Sequence, residues 1–362
     1  MIGIIGLLGF SRKLATLGFG DRRCNCDPPK GETTSMKTIL ITGATGQIGT
    51  ELTVALRARY GDDNVIASGL KTVPDEILRS VGHFHFIDCT EKEQIEYVVK
   101  RHKVDTIFHL AALLSAVAEE KPQAAWEVNV GGLYNVLEVA REHECAVFTP
   151  SSIGAFGPST PPDNTPQETI QRPTSMYGVT KVTGELLCDY YFTRFGVDTR
   201  GVRFPGIISY TAPPGGGTTD YAIAIFAAAL KDKKYTCYLR ANTALDMMYM
   251  PDALKAAVDV MEADPARLKH RNAFNVTAMS VTPEILAEAI RKHIPEFEIT
   301  YDIDPVRQKI ADSWPNKLDD TCAREEWGWS PEYNLEAMTK DMLTHMSEKL
   351  TPPTKTTDTC LS

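Results

Sequence analysis

Short apolar runs rich in β-branched residues alternate with longer segments of helical period along most of this chain. TILIT (38–42) is followed by QIGTELTVALRARYG, in which Ile48, Leu52 and Leu56 fall on one face. NVIAS (64–68), HFHFID (83–88), DTIFHL (105–110), AVFTPS (146–151) and VDTRGVRF (197–204) read as further strands, with helices near 91–102, 122–143 and 176–195. Strands separated by helices need right-handed crossovers, and these build a parallel sheet covered on both faces. After residue 205 the texture changes. PGIISYTAPPGGGTTD is a long loop rich in proline and glycine, and helices follow near 219–230, 251–263, 282–293 and 334–347. The expected fold is α/β: a doubly wound parallel sheet with a smaller C-terminal α/β domain packed over the carboxyl ends of its strands, where such sheets bind ligands. The expected divisions are a leader at 1–35, a nucleotide domain at 36–205 to which 243–275 returns, a substrate domain at 206–242 and 276–348, and a disordered tail at 349–362.

Composition narrows the function. The 362 residues are 43% hydrophobic and 23% charged, as in a soluble globular enzyme. Net charge is −9 with no basic tract, which argues against nucleic acid as a partner. The eight cysteines show no metal-ligand spacing, and Cys24 and Cys26 stand one residue apart, too close for a CxxC hairpin. No metal is expected, and a reducing compartment fits. The apolar stretch 2–10 is far shorter than a membrane span. Arg12, Lys13, Arg22 and Arg23 follow it, and no acid precedes Asp21, so the leader reads as a mitochondrial transit peptide, with a cytoplasmic protein as the alternative. Met36 stands directly before the first strand, and a start there also gives a complete domain.

The chemistry begins at GATGQIG (43–49), between a strand and a helix. In this context Gly43 allows a tight turn, Gly46 lets the backbone approach a pyrophosphate, and Gly49 lets the helix lie close on the sheet. This makes the sheet Rossmann-like. The acid that usually ends the second strand to hold the adenine ribose is absent, and Gly69 stands about there with Ser68 and Lys71 beside it. NAD and NADP both stay open on that ground. Asp88, at the end of the third strand, is a second polar anchor near the adenine or an N-cap for the next helix. HLAA (109–112) ends the fourth strand, where Ala111 and Ala112 admit the cofactor closely. Asn129 is a polar residue on an apolar helical stretch, either bonded to the backbone of a neighbouring strand or simply a satisfied core amide. Ser151 and Ser152 end the fifth strand. Tyr177 and Lys181, in MYGVTK, lie one turn apart on one helix face. A tyrosine phenol has an unperturbed pKa of about 10, and a nearby ammonium favours its phenolate, so the pair can accept an alcohol proton. Ser152 can donate to the same substrate oxygen.

The glycine loop, HLAA, Ser152 and YxxxK in this order resemble the extended branch of the short-chain dehydrogenase/reductase superfamily over residues 37–345. Sugar-nucleotide epimerases and dehydratases of that branch carry an Asn after the sixth strand and an Arg before a later Asp, which clamp a nucleotide diphosphate. Here those stretches read RFPGIIS (203–209) and TALDMMYMPDAL (243–254), with Pro205 and Gly206 in the first and Leu245 before Asp246 in the second. RFPGIIS, PSSIGAFGP, AALLSA, GGGTTDYA and IADSWP are instead similar to the L-threonine 3-dehydrogenase family of the short-chain type. That resemblance implies an oxidoreductase that oxidises the β-hydroxyl of L-threonine with NAD. Tyr177 is then the base, Lys181 lowers its pKa and binds the ribose, and Ser152 orients the hydroxyl. The implied cofactor site is Gly43, Thr45, Gly46, Gln47, Ile48, Gly49, Asp88, Leu110, Ala111, Ala112, Asn129, Tyr177, Lys181 and Pro205. The implied substrate site is Ser115, Ser151, Ser152, Tyr177, Gly206, Thr218, Thr219 and Trp314. The small-molecule substrate is the expected partner, with no membrane and with a homodimer formed through the helices near 122–143 and 176–195. An epimerase or dehydratase, a dehydrogenase of another β-hydroxy acid, and a non-catalytic NAD-binding protein are the alternatives.

Overall fold

A computed structural model describes residues 36–211 and 217–350. The leader and the tail from residue 351 lie outside the described residues. Residues 349 and 350, read as tail, close the last helix, Leu335–Leu350.

The strands are β1 (Ile39–Thr42), β2 (Val65–Gly69), β3 (His83–Phe86), β4 (Thr106–His109), β5 (Ala146–Phe148), β6 (Ser151–Ser152) and β7 (Thr199–Arg200). They continue with β8 (Val202–Phe204), β9 (Gly206–Ile208), β10 (Lys234–Cys237), β11 (Leu245–Tyr249), β12 (Phe274–Asn275), β13 (Met279–Val281) and β14 (Glu298–Tyr301). The main sheet runs β3-β2-β1-β4-β5-β7, all parallel. Its last two strands continue past a break as β6 and β8, and β12 is the parallel neighbour of β8. The break falls at Gly201, where a Cβ would stand 2.2 Å from the Thr149 carbonyl oxygen. The stretch expected as one strand at 197–204 therefore folds as two pieces.

Every residue of β1, β2 and β4 is buried, as helices on both faces of a parallel sheet require. On one face Ile39, Ile41, Leu52 and Leu56 pack with Met250 and Ala253 of the helix Met250–Glu262 and with Trp327 and Trp329. On the other, Leu40, Ile66, Ile107 and Val147 pack with Val98, Val136, Leu137 and Cys188. Each fully buried Leu or Ile stabilises the sheet by roughly 1.5–3 kcal/mol. The edge strand β3 is only half covered, which is why its HFHF mixes apolar and polar residues.

A second lobe has its own core, which includes Tyr221, Phe226, Leu245, Leu286, Phe297 and Met338. Its sheets are β9-β11-β13 and β10-β14. None of these five strands was anticipated from the sequence. The stretch expected as one helix at 122–143 contains a π turn, Glu127–Gly131, between the helices Pro122–Trp126 and Gly132–His143. The long cleft between the sheet's carboxyl end and this lobe holds the chemistry.

Candidate active site

The floor of the cleft is backbone. Gly43 has φ +74°, and a Cβ there would stand 2.7 Å from Ala111 N. A Cβ on Gly49 would stand 2.2 Å from Gly43 O, so only glycine lets the helix Gln47–Tyr60 lie this close to the turn. A Cβ on Gly46 would meet only Gly43 O, at 3.3 Å, because its other side is open to the cleft. No side chain caps this helix and no acid lies in its first turn. Its first N–H groups and positive dipole end are thus left for an anion, and this cradle fits a dinucleotide pyrophosphate.

Beside it, a Cβ on Gly69 would lie 3.0 Å from Thr45 Cγ2 and Oγ1. The Thr45 side chain crowds the place where a ribose-binding acid would begin. Lys71 is exposed. The Asp88 carboxylate accepts from Thr90 N at 3.0 Å and Thr90 Oγ1 at 2.7 Å, so it closes the turn leading into the helix Lys92–His102. Asn129 sits on the π turn. It accepts from Leu113 N at 2.7 Å and donates to Leu113 O and Thr180 Oγ1, each at 3.1 Å. The amide thereby ties the loop after β4 to the tyrosine-bearing helix. The wider π turn brings Asn129 into line, a device common near functional sites.

Tyr177 stands in the first turn of the helix Met176–Phe195, whose N-cap Ser175 accepts from Gly178 N at 3.1 Å. The Tyr177 ring lies against Gly154, where a Cβ would come within 3.1 Å of it. Lys181 donates to Pro150 O at 2.7 Å, and its Nζ is 5.4 Å from the Tyr177 ring centroid. Ser152 Oγ accepts from Gly154 N at 3.1 Å, which leaves its own proton to donate. Ser151 is placed differently. Its hydroxyl donates to Glu185, which is held by the buried Arg203 guanidinium at 3.0 and 2.8 Å and by Gln171 Nε2 at 2.7 Å. Ser151 therefore offers the cleft acceptor lone pairs rather than a proton.

The cleft is open, and about 1170 Å³ of unfilled space lies in it and in the solvent at its mouth. Gly43, Gly46, Gln47, Ile48, Gly49, Leu110 and Ala112 line its nucleotide side, and Ser151, Ser152, Tyr177, Lys181 and Pro205 its middle. Ser115, Gly206, Thr218, Thr219 and Trp314, expected as the substrate site, line the same cleft. Of the residues named from sequence, Thr45, Asp88, Ala111 and Asn129 do not line it, and Ala111 and Asn129 instead border a small second cavity that Lys181 also lines. His109 and Asp220 were missed. His109 is buried behind Lys181 with Nδ1 2.8 Å from Thr42 Oγ1, and burial with the nearby lysine pushes its pKa down to about 3. The HLAA stretch was read for its small alanines, and the buried histidine inside it was the overlooked signal. Asp220 lines the cleft directly after Thr218 and Thr219. Where the epimerase pattern puts arginine, Leu245 is fully buried in the lobe core. The adjacent Asp246 accepts from Thr277 Oγ1 and Leu318 N, each at 2.7 Å, and burial pushes its pKa up to about 7. Among the described residues no helix is long and apolar enough to cross a membrane.

Comparison with known proteins agrees with this geometry. The profile of the NAD dependent epimerase/dehydratase family matches residues 39–277. An uncharacterized epimerase/dehydratase of Staphylococcus saprophyticus is 57% identical over 308 residues, 85% of this chain and 96% of that protein. Among solved structures, an L-threonine dehydrogenase from Clostridium difficile is 59% identical with TM-score 0.85, covering 87% of this chain and 98% of its own. A GalE-like L-threonine dehydrogenase from Cupriavidus necator in its holo form is 47% identical with TM-score 0.83, covering 85% and 99%. A UDP-glucose 4-epimerase from Thermotoga maritima is 22% identical with TM-score 0.76 and shares the fold. NAD is the cofactor that the cradle, the family and these neighbours imply together. The chain belongs to the NAD-dependent epimerase/dehydratase family, the extended branch of the short-chain dehydrogenases/reductases.

Proposed function

We propose that the protein is an L-threonine 3-dehydrogenase, which oxidises the threonine β-hydroxyl with NAD to 2-amino-3-oxobutanoate and NADH. One observation carries this reading. The cleft that joins the glycine cradle to Ser152, Tyr177 and Lys181 continues into a wall of hydroxyls, Ser115, Thr218 and Thr219, and its described lining holds no arginine. Hydroxyls and backbone N–H groups suit a small zwitterion. A nucleotide diphosphate needs fixed cationic donors, which disfavours the epimerase alternative.

NAD, when bound, supplies the hydride acceptor. Gly43, Gly46 and Gly49 would hold its pyrophosphate, and Lys181 its ribose. The residues do the rest. Ser152 donates to the β-hydroxyl oxygen and fixes its direction. Tyr177 is the group that takes the hydroxyl proton. The Lys181 ammonium, anchored on Pro150 O, holds a positive charge 5.4 Å from the Tyr177 ring centroid. Thr218, buried on the substrate side with Ser115, meets the amino acid end. The lobe formed around 206–242 and 276–348 is the substrate domain of this scheme.

The direct test is NADH formation across a panel of β-hydroxy amino acids and hydroxy acids, with UDP-glucose and UDP-galactose in parallel. L-Threonine is expected to be the best substrate and the sugar nucleotides inert. No NADH from L-threonine at any pH, in a folded sample that binds NAD, sinks the reading. The homodimer belongs to the same proposal. Trp126, Tyr134, Leu186 and Tyr190 are exposed on the helices Pro122–Trp126, Gly132–His143 and Met176–Phe195, an apolar face suited to a second copy. Light scattering is expected to give twice the chain mass, and Leu186→Arg to give monomers. A mitochondrial address rests on the sequence of the leader alone. The staphylococcal relatives are bacterial proteins, and residues 1–35 fused to a reporter in eukaryotic cells test the address.

A further inference from the structure

His270, Cys322 and Glu326 come together outside the cleft, and none of them lines it. One ligand atom of each lies within 4.8 Å of the other two. Cys322 and Glu326 stand one turn apart on the helix Thr321–Trp327, so both leave the same face. His270 lies in the stretch that leads into β12. Glu326 is buried, and its carboxylate accepts from Lys269 N at 2.6 Å, His270 N at 2.9 Å and His270 Nδ1 at 2.5 Å. A carboxylate only accepts, so Nδ1 carries the proton of this bond. The other ring nitrogen, Nε2, is 3.6 Å from Glu168 Oε1. That is too long for a hydrogen bond. It is close to the separation of about 3.4 Å between two nitrogen or oxygen ligands that each stand about 2.1 Å from one tetrahedral ion.

The surroundings favour a cation. The strongest charge effects on Cys322 come from Glu326, Asp319, Glu325 and Glu168, all of them negative. Glu168 is exposed and free to turn, while its place in the chain is fixed by Gln167, which donates to Ala273 O at 2.9 Å and accepts from Asn275 N at 2.8 Å. A carboxylate on Nδ1 of a histidine whose Nε2 faces a second donor is the arrangement that orients metal-ligating imidazoles. Nitrogen, sulfur and oxygen donors together suit a borderline ion such as zinc and not magnesium or calcium. We propose that His270 Nε2, Cys322 Sγ and the Glu168 carboxylate bind a divalent cation of the zinc type, with Glu326 orienting the histidine and water completing the coordination. Binding exchanges the Cys322 thiol proton for the metal and releases that proton to solvent, with no change of oxidation state. The ion would join three segments that meet only in the fold, around residues 168, 270 and 322, which is why spacing along the sequence gives no sign of it. The site is independent of the proposed substrate.

The test is calorimetric titration of the reduced, chelator-treated full-length protein with Zn²⁺. Cys24, Cys26 and Cys360 lie outside the described residues and can take up zinc as well, so the readout is the difference between wild type and variants. Wild type is expected to bind one more equivalent than Cys322→Ser, with a Kd in the micromolar range or below. His270→Gln should lose the same equivalent. Saturating Zn²⁺ should raise the thermal midpoint of wild type and not that of Cys322→Ser, since an ion held only by the folded chain stabilises it by mass action. Glu168→Gln alters only an exposed side chain and covers any failure of the other variants to fold. It should weaken the same equivalent by about ten-fold or more, as loss of a ligand or of its support does. Equal stoichiometry and affinity in wild type, Cys322→Ser and Glu168→Gln overturn the proposal. Displacement of the zinc by equimolar Mg²⁺ overturns it too, because that marks a merely acidic surface.

Discussion

The two walls of the cleft are made in different ways. The nucleotide wall is backbone, shaped by side chains that are missing: Gly43, Gly46 and Gly49 bring a turn and a helix start within reach of a ligand inside seven consecutive residues. The substrate wall is made of side chains, and Ser115, Thr218, Asp220 and Trp314 reach it from segments up to 199 positions apart. At Gly43 and Gly49 the first wall tolerates no added atom. The second depends on the polarity of a few groups. Substitutions should therefore fail abruptly on one side and by degrees on the other, with the proton-transfer residues between them.

The largest effect belongs to the junction. Tyr177→Phe removes one oxygen and keeps the ring against Gly154. Turnover is expected to fall about 10²–10⁴-fold, the usual worth of a positioned acid–base group, with the NAD Kd unchanged. Lys181→Ala should lose comparable activity and also weaken NAD binding, since its place behind the tyrosine and toward the ribose is one place. Steady-state kinetics and calorimetric NAD titration separate the two variants. Near wild-type turnover in Tyr177→Phe would assign the proton to another group.

The next effect tests the abrupt wall. In Gly49→Ala the new Cβ meets the backbone oxygen of Gly43 at 2.2 Å, and backbone cannot move aside as a side chain end can. The variant is expected to lose about 1–3 kcal/mol of stability from overpacking and to bind NAD at least ten-fold more weakly. Denaturant midpoints and NAD titration check both. A stable variant with wild-type NAD affinity would show that the helix start is free to shift and that the cradle is not fixed by glycine.

The same contrast explains what could be read from sequence. The glycine loop, β1, β2, β4 and the YxxxK helix are local patterns, and each declares itself within a few residues. Ser151 and Ser152 were equally visible as a pair. That one donates into the buried Glu185–Arg203 pair and the other keeps its proton for the cleft depends on Arg203, 52 residues further on from Ser151. The strands of the substrate lobe were missed because they are three to five residues long and lie in mixed company, as in KYTC and MSV. The π turn at Asn129 gave no signal, since a continuous helix and one with a widened turn share the same period over so short a stretch. Asp220 was hidden by position: an acid before a helix reads as a cap, and only the geometry shows that its side chain makes no capping bond there.

Two buried titrating groups, one in each region, give the comparison a pH signature. Asp246, in the substrate lobe, has its folded pKa raised to about 7 by burial. Its contribution to stability is fully present below the unfolded value of about 3.9 and is lost as pH rises toward 7. His109, in the nucleotide half, has its folded pKa lowered to about 3. The unfolded chain then binds more protons below about 6.5, and stability is lost as pH falls from there toward 3. The two slopes oppose each other between about pH 4 and 6.5. In that window the two contributions offset each other, alongside the raised carboxyls of Glu51, Asp189 and Asp252. Asp246→Asn removes one of the opposing carboxyls, so its denaturant midpoints are expected to fall more with acidification than those of the wild type, by the equivalent of a few kcal/mol at most. The same slope in variant and wild type would mean that Asp246 does not titrate in this window.

The smallest effect concerns cofactor choice at the edge of the cradle, where the two building rules meet. Gly69 stands where a ribose-binding acid would normally end β2, and its Cβ position is 3.0 Å from the Thr45 side chain. Gly69→Asp should sharpen the preference for NAD over NADP, because a carboxylate accepts from ribose hydroxyls and repels a 2′-phosphate. The gain depends on Thr45 yielding a few tenths of an ångström. Thr45 is a side chain and can turn, unlike the carbonyl that a Cβ on Gly49 would strike, so the variant should fold. An increase in the NAD to NADP ratio of kcat/KM of a few-fold is expected in Gly69→Asp alone, and a larger one when Thr45→Ser removes the crowding methyl. If the double variant shows no gain over the single one, Thr45 is not the obstacle, and the adenine end of this cleft is read by backbone alone.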